Sequence, residues 1–283
     1  MAVAAERDDT DIVSVDSMQV YRHMSIGTAK PTIEEQQSVR HHLIDIVEPS
    51  DEFTIATFQH HLQQTLSSIA MSSRCGLLVG GTGLYHRAAI DGLELAGSWP
   101  EIRQRLEAEA DVEGAPSLHR RLVELDPIAA RRMEPTNNRR VVRALEVIEG
   151  SGELFSSFGG GLDKYPESEV HQVGLRWPRG VLATRIEQRV HRMMADGFLH
   201  EVEQVLTLEP SRTARQALGY RELIDHLEER CSLDEAIDAT VTRTRQFAVK
   251  QERWFRRDPR IEWIDIESDP VVEVAPAITK YLP

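Results

Sequence analysis

The chain has 283 residues, 41% of them hydrophobic and 28% charged, enough to bury a full core as one large domain with an insertion or as two domains. No apolar run approaches the ~20 residues that span a bilayer. The N-terminus lacks a basic-then-apolar secretory signal, and Cys75 and Cys231 stand far from any His or Cys at metal-ligand spacing. The composition therefore indicates neither a membrane protein nor a disulfide scaffold nor a metal site, and a cytoplasmic location is expected. A net charge of −13 argues against a uniformly basic nucleic-acid module. Phosphate contacts depend on local clusters, however, and the cations here are mostly grouped arginines.

Residues 1–7 read as a helix without an N-cap, followed by the polar turn 8–11 and a strand over 12–15. A helix feeding a strand ordinarily has another strand before it, so the pattern suggests a start inside an α/β unit. A short native N-terminal helix is the alternative. The spacing predicts an amphipathic helix over 54–72 and a buried strand over 76–79 closed by Gly80-Gly81, an alternation that implies a parallel sheet. From about Pro100 four helices follow without strands, at 101–109, 117–125, 126–133 and 138–149. They form a candidate insertion over 100–150, leaving 1–99 and 151–283 as the core. Gly150-Ser-Gly152 and Gly159-Gly-Gly161 predict a mobile connection. Beyond it lie a strand at 170–175, helices at 181–206, 215–227 and 233–255, and a last strand at 261–264.

Several side chains could carry chemistry. Asp16 follows a strand end, from which a carboxylate either reaches a ligand or caps the next turn. Lys30, one of four lysines, reads as a surface charge or a phosphate contact. Gly80-Gly81-Thr82-Gly83 alone signals no more than a tight turn. Arg139, Arg140 and Arg143 gather on one side of a helix whose other side carries Val141, Leu145 and Ile148, which makes either a solvated basic face or a phosphate surface. Arg185, Arg189 and Arg192 recur at helical spacing, and Arg243, Lys250, Arg253 and Arg257 share a later polar stripe. His41 and His42 read as structural or loop-positioning, because no second metal-ligand motif accompanies them.

Four stretches taken together are more specific. Ile12-Val-Ser-Val-Asp16-Ser-Met-Gln-Val-Tyr21, running into Ile26-Gly-Thr-Ala-Lys-Pro31, joins Arg40-His-His-Leu-Ile-Asp45, Leu77-Leu-Val-Gly-Gly-Thr-Gly-Leu-Tyr85 and Arg139-Arg-Val-Val-Arg-Ala-Leu-Glu146. They closely resemble the tRNA dimethylallyltransferases (tRNA isopentenyltransferases), and the resemblance covers nearly the whole chain. It implies an α/β fold, a P-loop NTPase-like parallel sheet with a helical tRNA-binding insertion. The implied reaction moves a dimethylallyl group from its diphosphate to N6 of the adenosine immediately 3′ of the anticodon, in tRNAs reading codons that begin with U. Mg²⁺ is the implied cofactor, the tRNA anticodon stem-loop the partner, and a monomer the expected state.

The resemblance also implies roles. Asp16 would accept a proton or hydrogen bond from the target amine. Ser17, Met18 and Gln19 would line the path of the extruded base, with Thr82 facing the same channel. Lys30 would contact the diphosphate. Arg185 is favoured for the departing pyrophosphate, with Arg189 as the alternative. Arg103, the run Arg139, Arg140, Val141, Val142 and Arg143, and the later set Arg215, Gly219, Tyr220 and Arg221 would meet the tRNA. No metal ligand is assigned.

One departure is plain. Family members open with a strand and a G-x-x-x-x-G-K-[ST] phosphate loop, whereas here Lys stands only at 30, 164, 250 and 280 and is never followed by Ser or Thr. The expectation is a severely impaired enzyme, from an internal start or a natural truncation. Competing readings are a tRNA-binding protein without catalysis, an isopentenyltransferase acting on free adenine nucleotide and, last, a small-molecule kinase.

Overall fold

Thr10–Val15 forms β1, buried along its whole length because it is the middle strand of a parallel sheet ordered β2-β1-β3. Its partners are β2, His41–His42, and β3, Cys75–Gly80. A strand covered on both faces reads as a continuous apolar run, as Ile12-Val-Ser-Val does. The register sets Val15 beside Gly80, where a Cβ would lie 2.1 Å from the Val15 carbonyl oxygen. Only glycine allows that approach.

The structure is a computed structural model and describes residues 1–93, 96–158, 162 and 164–282. It divides into two units, residues 1–92 with 167–283, and residues 93–166. In the first, α1 (Ala2–Ala5) precedes β1 and α2 (Ile33–Ser38) precedes β2. The crossover to β3 is α3 (Ile55–Met71), started by the Thr54 hydroxyl accepting from the Thr57 amide at 3.1 Å. After β3 comes α4 (Gly83–Asp91), whose Tyr85 stacks on Phe58 at 4.3 Å. In the second unit, α5 (Pro100–Glu113), α6 (Ala115–Leu125), α7 (Pro127–Ala130) and α8 (Asn138–Ser151) enclose Leu106, Leu118, Leu122, Val141 and Leu145. The first unit then resumes with β4 (Gln172–Arg176), α9 (Arg179–Ala195), α10 (Phe198–Thr207), α11 (Arg212–Arg215), α12 (Tyr220–Leu227) and α13 (Leu233–Phe255). It ends with β5 (Ile261–Asp265), parallel to β4, and α14 (Pro270–Thr279).

Several expectations change. The helix expected over 181–206 is two, α9 and α10, because Gly197 takes a left-handed φ of 99° between them. The 215–227 helix likewise divides around Gly219, φ 85°. The 126–133 helix shrinks to α7, where Asp126 caps the Ala129 amide at 3.0 Å. The strand expected to be buried, β3, is the outer strand of its sheet among the described residues, and Val79 is 47% exposed. Helices α2, α4 and α14 were not anticipated. The expected Gly159-Gly-Gly161 connection lies outside the described residues.

A buried ion-pair network ties α4 to the start of β5. The Arg260 guanidinium donates to Asp91 Oδ1 at 2.6 Å and to Asp258 Oδ2 at 2.7 Å, and Arg87 pairs with Asp91 as well. Burial opposes charge on Asp91, but hydrogen bonds from Arg260 and Arg87 hold its carboxyl below the usual range. Arg260→Met would leave buried Asp258 without its cation and Asp91 with Arg87 alone, and is expected to cost about 3–5 kcal/mol. Urea unfolding at neutral pH measures this, and a loss below about 1 kcal/mol would place the network with weak surface pairs.

Candidate active site

The end of β1 brings Asp16 to the sheet's C-terminal edge, where parallel α/β sheets bind ligands. Its Oδ1 accepts from the amides of Met18 at 2.7 Å and Gln19 at 3.2 Å. One oxygen thus closes the turn, while Oδ2 has no hydrogen-bond partner among the described residues. The Thr82 hydroxyl accepts from the Ser17 amide at 3.1 Å and donates to Ser17 Oγ at 3.3 Å, tying the ends of β1 and β3 together. The glycines around Thr82 admit α13. Gln251 Nε2 donates to the Gly81 carbonyl at 2.8 Å, and a Cβ on Gly83 would lie 2.3 Å from the Trp254 ring.

Three residues expected to face substrate are turned inward. Gln19 uses its carboxamide as a latch, accepting from Ser14 Oγ at 2.9 Å and donating to the carbonyls of Thr28 and Ala29 at 3.3 Å each. Lys30 is not a free phosphate contact. Its side chain is 2% exposed and its ammonium donates to Asp45 Oδ1 at 2.5 Å and to the Tyr21 carbonyl. Burial lowers its pKa, with Asp45 and then Glu201 opposing the shift. Tyr220 is buried at 1% exposure, its hydroxyl donating to Glu201 Oε1 at 2.5 Å, and burial pushes the phenol far up. Gly219 beside it is also buried, with its amide on Glu222 Oε2 at 2.7 Å.

The two candidate pyrophosphate arginines differ in surroundings. The Arg185 guanidinium lies over the Trp177 ring at 4.4 Å. Arg189 has no hydrogen-bond or ion-pair partner among the described residues. Its pKa is lowered by surrounding protein and raised in opposition by the charge of Asp16, so it stays protonated in that carboxylate's field. Of the two, Arg189 is the one on which the charge of Asp16 acts. Arg215 pairs with Glu228 at 2.9 Å, and Arg221 bonds Gln216 at 3.3 Å. Both line an open polar cavity of about 320 Å³ with Arg230 and Asp225.

In the second unit Arg139 and Arg140 are exposed, as are Arg105, Arg120, Arg131 and Arg132. Val141 and Val142, expected to meet the tRNA, are core residues whose side chains are buried among the helices. Arg143 and Arg103 turn onto Glu146, which is wholly buried. Arg103 Nη2 lies 2.7 Å from Glu146 Oε2 and Arg143 Nη1 2.9 Å from Oε1, and the Trp99 amide donates to Oε1 at 2.9 Å. Sequence reasoning passed over Glu146, although a glutamate between Leu145 and Val147 on an apolar helix face needs partners of this kind.

Comparison with known proteins fits this arrangement. The family model described as IPP transferase matches residues 19–258. The chain belongs to that family. It is 43% identical over 271 residues to the tRNA dimethylallyltransferase of Thermobifida fusca, covering 95% of this chain and 84% of that one. The Streptomyces coelicolor tRNA dimethylallyltransferase is 44% identical over 262 residues, 92% of this chain and 83% of that one. Among solved structures, the tRNA isopentenylpyrophosphate transferase of Bacillus halodurans is 36% identical with a TM-score of 0.69, covering 99% of this chain and 90% of that one. A eukaryotic dimethylallyltransferase acting on tRNA shares the fold at 21% identity and a TM-score of 0.74, over 98% of this chain and 73% of that one. IPP transferase membership thus accompanies a mixed α/β fold with a parallel sheet and many helices.

Glu146 gives this family member a pH signature. Burial opposes its charge, but the Trp99 amide, Arg103 and Arg143 win and lower its pKa from 4.5. A carboxyl lowered on folding stabilises above its unfolded value, and that stability is lost as pH falls through the folded one. The stability gap between the parent protein and Glu146→Gln is therefore expected to be full at pH 7 and to shrink below about pH 4.5. Paired urea titrations across that range check it, and a constant gap would refute the assignment.

Proposed function

We propose that this chain transfers a dimethylallyl group from its diphosphate to N6 of the adenosine 3′ of the anticodon in tRNAs that read codons beginning with U. The observation that carries the reading is the free Oδ2 of Asp16 at a sheet edge, with the unpaired Arg189 in its field, in an IPP transferase whose relatives named tRNA dimethylallyltransferase match over nearly its full length. Asp16 Oδ2 takes a hydrogen bond and then a proton from the adenine amine. The nitrogen lone pair forms a bond to C1 of the dimethylallyl group as the C1–O bond breaks, and pyrophosphate leaves with that electron pair. Arg189 offsets the charge that develops on it, and Ser17, Met18 and Thr82 border the flipped base.

Mg²⁺ enters this reading as the companion of the diphosphate. Among the described residues no group of three or more His, Cys, Asp or Glu side chains could hold a resident ion, and Mg²⁺ commonly binds through one or two carboxylates plus substrate phosphates. When bound it would neutralise phosphate charge. Residues 100–150 are the proposed tRNA-binding insertion, in which the exposed Arg139 and Arg140 suit the phosphates of the anticodon stem. A monomeric state and a cytoplasmic site of action belong to the same proposal. Among the described residues no helix is long and apolar enough to cross a membrane.

Incubation with dimethylallyl diphosphate, Mg²⁺ and an anticodon stem-loop bearing consecutive adenosines, followed by mass spectrometry of the RNA, tests the reading. Because these residues contain no G-x-x-x-x-G-K-[ST], slow transfer is expected, rising when a segment carrying that loop is supplied. Asp16→Ala should abolish transfer, and Arg189→Ala should lower kcat by about 10²–10³, more than Arg185→Ala does. Undiminished transfer by Asp16→Ala would overturn the reading. Stem-loop binding with no transfer under either condition would favour a tRNA-binding protein without catalysis.

A further inference from the structure

Glu201, on α10 and 8% exposed, is bound by donors from two directions. The amides of Ser25 and Ile26 donate to Oε2 at 2.8 Å each, and that of Gly27 to Oε1 at 3.0 Å. The Tyr220 hydroxyl donates to the same Oε1 at 2.5 Å. Successive amides converging on one point form an anion-binding concavity, and here an internal carboxylate fills it. Gly27 permits this closeness, since a Cβ there would lie 2.2 Å from the Phe198 ring and 2.5 Å from that of Tyr220.

The consequence reaches Asp16. With residues 25–27 held, the carbonyls of Thr28 and Ala29 are fixed as acceptors for Gln19 Nε2. Ser14 Oγ binds the other end of the Gln19 carboxamide, and the Gln19 amide donates to Asp16 Oδ1. We infer that Glu201 is a positioning residue for Asp16: it sets the 25–29 loop, the loop orients Gln19, and Gln19 with Met18 holds Oδ1 so that Oδ2 stays free. The catalytic part of this inference rests on the proposed role of Asp16 in dimethylallyl transfer.

Glu201→Gln tests it, because every partner of the carboxylate is a donor and the carboxamide nitrogen must face at least one of them. Hydrogen–deuterium exchange on the folded variant is expected to quicken at residues 25–27 and also at Met18 and Gln19, whose amides Asp16 Oδ1 otherwise protects. kcat should fall by about 10-fold to 10²-fold, as for a misplaced reacting group, with KM for the stem-loop little changed. Gln19→Leu cuts the relay beyond the loop and should quicken exchange at 18–19 while 25–27 remains protected. If Glu201→Gln proves too unstable, Tyr220→Phe removes one donor of the four and should give a smaller change at the same peptides. Faster exchange confined to 25–27, or unchanged kcat where the parent chain is active, would overturn the inference. A parent chain without transfer but with exchange changes reaching 18–19 would support the relay while counting against the transfer reading.

Discussion

At the end of β1 the backbone leaves a fully buried strand and must satisfy the next two free amides at once, and the side chain of Asp16 does so. That constraint organises the site. A carboxylate has two oxygens and several lone pairs, so one oxygen can close the turn while the other meets a ligand without the turn coming undone. The same economy of groups appears at Thr82, whose hydroxyl joins two strand ends, and at Gln19, whose carboxamide spans a strand residue and a loop. Each polar side chain near the strand ends completes backbone hydrogen bonding, and what remains unused defines the chemistry available.

Electrostatically, the acidic balance of the chain is not a bar to an RNA partner. Carboxylates are spread among arginines and quench them locally, as Glu146 does for Arg103 and Arg143, and Glu228 for Arg215. Arg243, expected on a polar stripe, is likewise taken by buried Glu222. Arg139, Arg140 and Arg189 keep guanidinia without carboxylate partners among the described residues. A phosphate backbone responds to cations of this kind within a Debye length of ~10 Å and much less to the total charge.

What could be read from the sequence was local. Asp16 as strand end and turn cap, the parallel alternation, the helix that became α13 and the glycine turn after β3 all follow from neighbours within a few residues. What could not be read depends on partners far along the chain. Lys30 looked available because Asp45 and the burial around it are invisible to a short window, and Tyr220 looked like an RNA contact because Glu201 is 19 residues away. Gly197 was readable in principle, yet the apolar spacing runs on through it and suggested one helix where the backbone makes two. Arg143 shows the reverse error, in which correct helical spacing placed it on a polar side while a buried acid one turn later drew it back.

The length of α13 sets a spacing. Thr240 packs near Gly219, while Gln251 and Trp254 meet the glycine turn after β3. With a rise of 1.5 Å per residue, these stations lie about 17–21 Å apart along one rod. The helix thus acts as a ruler between the loop-holding end of the core and the strand ends that carry Asp16 and Thr82. A residue added or deleted between the stations would change that length by only about 1.5 Å but would swing Gln251 and Trp254 about 100° around the axis. In this stretch of chain evolution can exchange side chains but has little freedom to count differently.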